Sequence, residues 1–183
     1  MEGFLGTPPQ SLRTIMIIRN ITDSDICQLI ALCEKENTPR AHQGDGLGYN
    51  AYNEYVWIKN TLDLYEQAKD PSSGNLCIGV FDENNVMLGF LTASYFSNWY
   101  TGSYIADMKD VCTDMTHDKY HEVFEKLFRR FINHYAQLGV TDWRADTIRS
   151  QDDNGLKFGN YIKKLFSKEN DIVLNTSVRG VNK

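Results

Sequence analysis

Asn154 and Tyr161 stand seven residues apart in the stretch DNGLKFGNYIKKLF, residues 153–166. If that stretch is helical, the two lie about two turns apart on one helix. A side-chain amide at a helix start caps the backbone or holds part of a ligand. A phenol can deliver a proton. Leu156, Phe158, Ile162, Leu165 and Phe166 supply an apolar face, so Tyr161 also suits a core position with its hydroxyl at the rim. Asp107 and Asp110 offer two carboxylates in one expected strand, as proton acceptors or as strand-end charges facing water. His117 and His121 are four apart, a spacing that suits a metal, but no third ligand follows and an exposed helix start explains them better. The glycines of GDGLG (44–48) do not join a strand to a helix start, so they read as a flexible loop rather than a phosphate cradle.

The chain that must position these groups has 183 residues, 42% hydrophobic and 23% charged, enough for one domain with a real core. A net charge of −5 argues against a nucleic-acid footprint, which needs a concentrated basic patch. No apolar run approaches a membrane span, and MEGFLGTPPQSLR lacks the pattern of a signal peptide. Cys27, Cys33, Cys77 and Cys112 form no CxxC pair and sit among apolar neighbours, so they are expected as reduced, buried thiols in a cytoplasmic compartment, the protein's own or a host's.

Residues 1–14, broken by Gly3, Gly6, Pro8 and Pro9, read as an N-terminal arm, and residues 15–183 as one domain. TIMIIRNIT (14–22) is rich in β-branched residues and predicts a strand. A helix follows, capped by Thr22 or Asp23, with Ile26, Leu29, Ile30 and Cys33 on one face. After the loop NTPRAHQGDGLGYN, a second helix covers 51–70, with Tyr55, Ile58, Leu62 and Tyr65 at helical spacing. Two apolar runs flank the polar turn Asp82–Asn85, as in an antiparallel hairpin. A further strand covers 102–114. The long helix DKYHEVFEKLFRRFINHYAQL buries Val123, Phe124, Leu127, Phe128, Phe131 and Tyr135 and stops at Gly139. VTDWRADTI, the 153–166 helix and DIVLNTSVRG complete the order β-α-α-β-β-β-α-β-α-β. The expected fold class is α/β (α+β), a mixed and mostly antiparallel twisted sheet of about six strands with helices on both faces.

This order, with three local patterns, resembles the GNAT superfamily of acetyl-CoA-dependent N-acetyltransferases. MIIRNITDSDICQLIALCEK is similar to that family's opening strand and helix, with its Ile-Arg and Thr-x-x-Asp. CIGVFDENNVMLGFLTAS is similar to the central hairpin, with Gly89 before an apolar run. DNGLKFGNYIKKLF is similar to the late helix N-x-x-A-x-x-x-Y-x-K-x-G-F, with Lys157, Asn160 and Leu165 as departures. The resemblance implies that Asn154 contacts coenzyme A and that Tyr161 protonates the departing thiolate, with Asp107 or Asp110 as the base toward the amine. It also implies a gap between the fourth and fifth strands.

The same family carries R/Q-x-x-G-x-G/A before its long helix, where backbone amides cradle a pyrophosphate. Here Lys119 takes the basic position and Glu122 and Phe124 take the small ones, with Asp114 and Asp118 close by. Phe124 more readily faces the core than the ligand. A like-charge contact at about 4 Å costs on the order of 4 kcal/mol at an effective dielectric near 20, so these acids oppose a dianion. Lys119, Val111 and Cys112 are the cofactor contacts that the resemblance implies around this turn. Two functional expectations follow. One is a degenerate acetyltransferase-like domain with a binding or structural role in a larger assembly, with protein partners engaged through the arm, as in a phage virion component, or as a homo-oligomer. The other is an active acetyltransferase using acetyl-CoA. Tyr95, Phe96, Trp99 and Tyr100, in YFSNWY, are expected to line an acceptor pocket, meet a partner or rim the core.

Overall fold

Apolar side chains on both faces of four consecutive extended segments build an antiparallel meander. The computed structural model describes residues 15–42, 54–114, 116–140 and 142–145. Its strands are β1 (Ile17–Asn20), β2 (Leu76–Phe81), β3 (Met87–Ser97), β4 (Tyr104–Thr113) and β5 (Asp142–Ala145), in the spatial order β1-β2-β3-β4-β5. β1 to β4 pair antiparallel, and β5 lies parallel to β4. A parallel step needs a crossover, supplied by the helix α3 (Tyr120–Gln137). Two helices, α1 (Ile26–His42) and α2 (Glu54–Ala68), link β1 to β2. The class is therefore α/β, with a mixed sheet between helices, as the sequence implied. The arm (1–14), the late helix (153–166) and the expected sixth strand (171–180) lie outside the described residues.

Each face of the sheet has its own core. On one, Ile78, Val80, Leu91, Ala106 and Met108 meet the six α3 residues that helical periodicity singled out. On the other, Leu29, Leu32 and Cys33 of α1 and Tyr65 of α2 cover Cys77, Phe81, Phe90 and Cys112. The polar turn from Asp82 to Asn85 closes the β2–β3 hairpin, with Asp82 accepting from the Asn84 and Val86 amides. Gly139 follows α3 at φ +75°, a conformation in which a Cβ is disfavoured.

Two expectations need correcting. Cys27 is exposed, because it falls on the outward side of α1, while Cys33, Cys77 and Cys112 are buried. Helix α1 also runs beyond Glu36, through Pro39, to His42, where a loop was expected. Pro39 removes one helical N–H, a local cost that the surrounding helix tolerates. No described helix is long and apolar enough to cross a membrane.

The start of α1 shows why the Ile-Arg and Thr-x-x-Asp pattern matters. A single 3-10 turn, Asp23–Asp25, precedes α1. The Thr22 N–H and hydroxyl both donate to Asp25, at 2.8 and 2.7 Å. Arg19 grips the same carboxylate from β1, at 2.6 and 2.9 Å, and lies 3.7 Å over the Phe81 ring. Asp25 is fully buried, and the Arg19 guanidinium beside it holds its carboxyl far below the usual range, against the opposing push of burial.

Candidate functional site

Residues three apart in a regular strand face opposite sides of a sheet. Asp107 and Asp110 do not, because β4 is interrupted. Thr92 faces Asp110 and Ala93 faces Met108, which leaves Lys109 as the extra residue of a β-bulge. Ser94 lies opposite Asp107 and Thr92 opposite Asp110, so both carboxylates share the α1–α2 face. The bulge falls where the described pairing between β4 and β5 ends. That pairing runs from Ile105↔Asp142 to Met108↔Ala145, and β4 continues to Thr113.

The two carboxylates have different surroundings. Asp107 is buried and accepts two hydrogen bonds from Arg144 of β5, at 2.9 and 3.0 Å, with the Lys109 ammonium as a second partner. Burial pushes the Asp107 carboxyl up, but Arg144 and Lys109 outweigh it and hold it below its ordinary value. Arg144 also lies 4.8 Å from the centre of the Phe96 ring. Asp107 is thus a structural anion, a poor proton acceptor while so clamped. Asp110 is half-buried across from the buried Thr92.

At the far end of β4 the chain turns into α3, and this turn makes its own hydrogen bonds. The Asp114 carboxylate accepts from the Thr116 N–H at 3.0 Å and the Thr116 hydroxyl at 2.6 Å. Lys35 reaches it from α1, at 2.7 Å. The His117 and Tyr120 amides donate to the carbonyls of Asp114 and His117, at 3.0 and 3.2 Å. The Lys119 N–H donates to His117 Nδ1, at 3.2 Å. Lys119 is the N-cap residue of α3. Burial raises the Asp114 carboxyl and Lys35 and Thr116 lower it, with a net fall.

The other sequence candidates divide. Val111 is half-buried against the α3-side core, and Cys112 is buried on the opposite side, 3.7 Å from the Leu32 carbonyl. Phe124 is buried beneath α3, its ring 5.9 Å from Phe128, and Glu122 points to solvent. Phe124 therefore belongs to the core, as its helical position implied. Asn154 and Tyr161 lie outside the described residues. Among the described residues, no group of three metal-binding side chains forms around His117 and His121. Sequence reasoning missed Arg144 and Lys35, whose partners are 37 and 79 residues away and share no local pattern with them.

No family model matches the chain, and no curated protein matches it by sequence. Solved structures do. An aminoglycoside acetyltransferase from an uncultured soil metagenomic sample, in complex with sisomicin, is 15% identical over 92% of this chain and 95% of its own, with a TM-score of 0.57. A predicted acetyltransferase of Clostridium acetobutylicum, solved with acetyl-CoA, is 12% identical over 92% of this chain and 96% of its own, at 0.57. The chain has the GNAT acetyltransferase fold. A transcriptional regulator from Bacillus halodurans shares that architecture, 17% identical over 88% of this chain and 99% of its own, at 0.60. In GNAT terms, the opening strand and helix are β1 and α1, and the central hairpin is β2–β3.

Proposed function

We propose that this GNAT-fold chain is a degenerate acetyltransferase-like domain with a binding or structural role in a larger protein assembly. One observation carries the reading: four amides of the turn before α3 are already committed within the turn. Those of Thr116 and His117 donate to Asp114, and those of Lys119 and Tyr120 donate to His117. A pyrophosphate would have to displace a carboxylate that already holds the Thr116 N–H and the Lys35 ammonium. The exposed Asp118 and Glu122 add negative charge at the same helix start, where the macrodipole would otherwise favour a ligand anion. The residues present therefore fit the pyrophosphate of coenzyme A poorly.

The test is a thermal melt with and without excess acetyl-CoA. The expected result is an unchanged midpoint. A ligand at a hundred times its Kd adds about 2.7 kcal/mol, so a clear upward shift overturns the reading.

A second reading, an active acetyl-CoA-dependent N-acetyltransferase acting on a small or protein amine, draws support from β4. Its bulge brings two carboxylates to one face just where the described pairing with β5 ends. Acetyl-CoA would supply the acetyl group, Asn154 and Lys119 would hold it together with the backbone of Val111 and Cys112, and Tyr161 would be the acid. Asp107 is spent on Arg144, which makes Asp110 the carboxylate to test as base. Thiol release from acetyl-CoA over a panel of amines, abolished by Tyr161→Phe and Asp110→Asn, is the outcome this reading requires.

A further inference from the structure

The β3–β4 hairpin ends in two aromatic side chains that pack against none of the described residues. Trp99 is 93% and Tyr100 94% exposed. The turn that presents them is held by its own hydrogen bonds. Asn98 N–H donates to the Ser103 carbonyl at 2.6 Å, Gly102 N–H to the Asn98 carbonyl at 2.8 Å, and Tyr100 N–H to the Asn98 side chain at 2.9 Å. Gly102 supplies the positive φ, 68°, that the turn requires. The backbone of the tip is thus preorganised, and docking would cost mainly the side-chain freedom of Trp99 and Tyr100. From Ser94 to Ile105 no residue is charged.

A cavity lies at the same end of the sheet. It measures about 300 Å³, at the small end of ligand pockets, and is lined by Tyr65, Lys69, Asn75, Arg130 and His134 among others. Register places hairpin and cavity together. Leu76 and Cys77, which also line it, face Ala93 and Thr92 of β3, so Ser94–Ser97 and the tip run on past the start of β2. Tyr95 and Tyr135 meet at 6.2 Å, which brings the last turns of α3 to the same end.

The charges of the cavity select its occupant. Arg130 pairs with no carboxylate among the described residues, while Lys69 is shared by Asp23 and Glu66, at 2.7 and 2.9 Å. Those two acids disfavour a free anion. A neutral aromatic ring, whose electron-rich face attracts guanidinium and ammonium groups without a net charge of its own, suits the cavity.

We propose that two copies of this chain associate end to end, each seating Trp99 in the other's cavity against Arg130, with Tyr100 at the rim. The contact is isologous, the commonest way for two identical subunits to close. It lies at the opposite end of β4 from the turn into α3, so it does not depend on whether acetyl-CoA binds, and its failure leaves the melt above untouched.

Sedimentation velocity from low micromolar to near-millimolar concentration tests it. The full chain should show a reversible monomer–dimer equilibrium. The double variant Trp99→Ala/Tyr100→Ala and the variant Arg130→Glu should each weaken it by on the order of thirtyfold or more, as a central aromatic or Arg anchor does. All these side chains are at the surface, and circular dichroism checks that both variants fold. Mixing the two variants should restore association, because the tip of one then meets the intact cavity of the other. A wild-type chain that stays monomeric overturns the proposal. So does a dimer indifferent to Trp99→Ala/Tyr100→Ala, and so does a mixture that recovers nothing.

Discussion

Lys35 of α1 and Asp114 at the end of β4 meet at 2.7 Å across 79 residues of chain. Thr116 joins them, its hydroxyl 2.9 Å from the ammonium and 2.6 Å from the carboxylate. The pair ties the helix on one face of the sheet to the turn that opens the helix on the other. Both side chains are partly exposed, so solvent screens the pair. Lys35→Met and Asp114→Asn should each cost about 1 kcal/mol, and the double variant should cost less than their sum. Urea melts of the four proteins measure the coupling; strict additivity would show that the pair contributes nothing.

The Arg19–Asp25 pair should make the fold acid-sensitive. The folded-state pKa of Asp25 is lowered, with hydrogen bonds from Arg19 the largest cause and Thr22 adding to them. A depressed carboxylate stabilises the fold in full above its unfolded pKa of about 3.9, and the contribution fades as pH falls toward the folded value. Stability measured between pH 6 and acid pH should therefore fall more steeply for wild type than for Asp25→Asn. Asp25→Asn should itself be less stable near neutral pH.

Arg144 keeps the buried charge of Asp107 tolerable. Arg144→Ala leaves that carboxylate with Lys109 alone and should destabilise by about 1–3 kcal/mol, since Arg144 is itself half exposed. The Asp107 pKa should rise in the variant, because burial then meets less opposition. Carboxyl NMR titration reads this directly. An unmoved Asp107 would mean that Lys109 suffices.

Gly89 lies where Val123 of α3 packs tightly against the sheet. A Cβ there would stand 2.8 Å from the Cys112 carbonyl oxygen and 2.8 Å from a Val123 methyl. The carbonyl belongs to a paired strand and cannot easily retreat. Gly89→Ala should cost about 1–3 kcal/mol, and Gly89→Val more, in thermal or chemical melts.

Phe124, which the sequence resemblance sets against a small residue of the family pattern, is 2% exposed in the core under α3. Restoring the pattern with Phe124→Gly should not restore ligand binding. It should remove about 3–5 kcal/mol of stability through the cavity left behind, with about 1 kcal/mol more for a helical glycine. A variant that stays folded and gains an acetyl-CoA-dependent shift in melting would contradict this assignment.

Much of the architecture was legible in the residue order. Period and punctuation identified the β2–β3 hairpin, α3 with its six buried residues, and the stop at Gly139, because each is decided by side chains within a few turns of one another. The exposure of Cys27 and the length of α1 were misread, since a helix continues or turns a face outward according to what packs on it. At the site, Asp107, Asp110, Lys119, Val111 and Cys112 were picked out as residue types, but not their roles. The bulge at Lys109 turns Asp110 to the side of Asp107, and a bulge is set by pairing with a neighbouring strand.

The order of the described elements, the buried face of α3 and the lack of glycines just before it follow from the sequence itself, because periodicity, volume and backbone freedom are properties of neighbouring residues. Which charges meet was decided only by the tertiary structure. Asp107 finds Arg144, Asp114 finds Lys35, and the uncharged hairpin comes to lie at the cavity end because a sheet brings together residues distant in the chain. Electrostatic partnership depends on distance in space and on burial, and neither is written in any local run of residues.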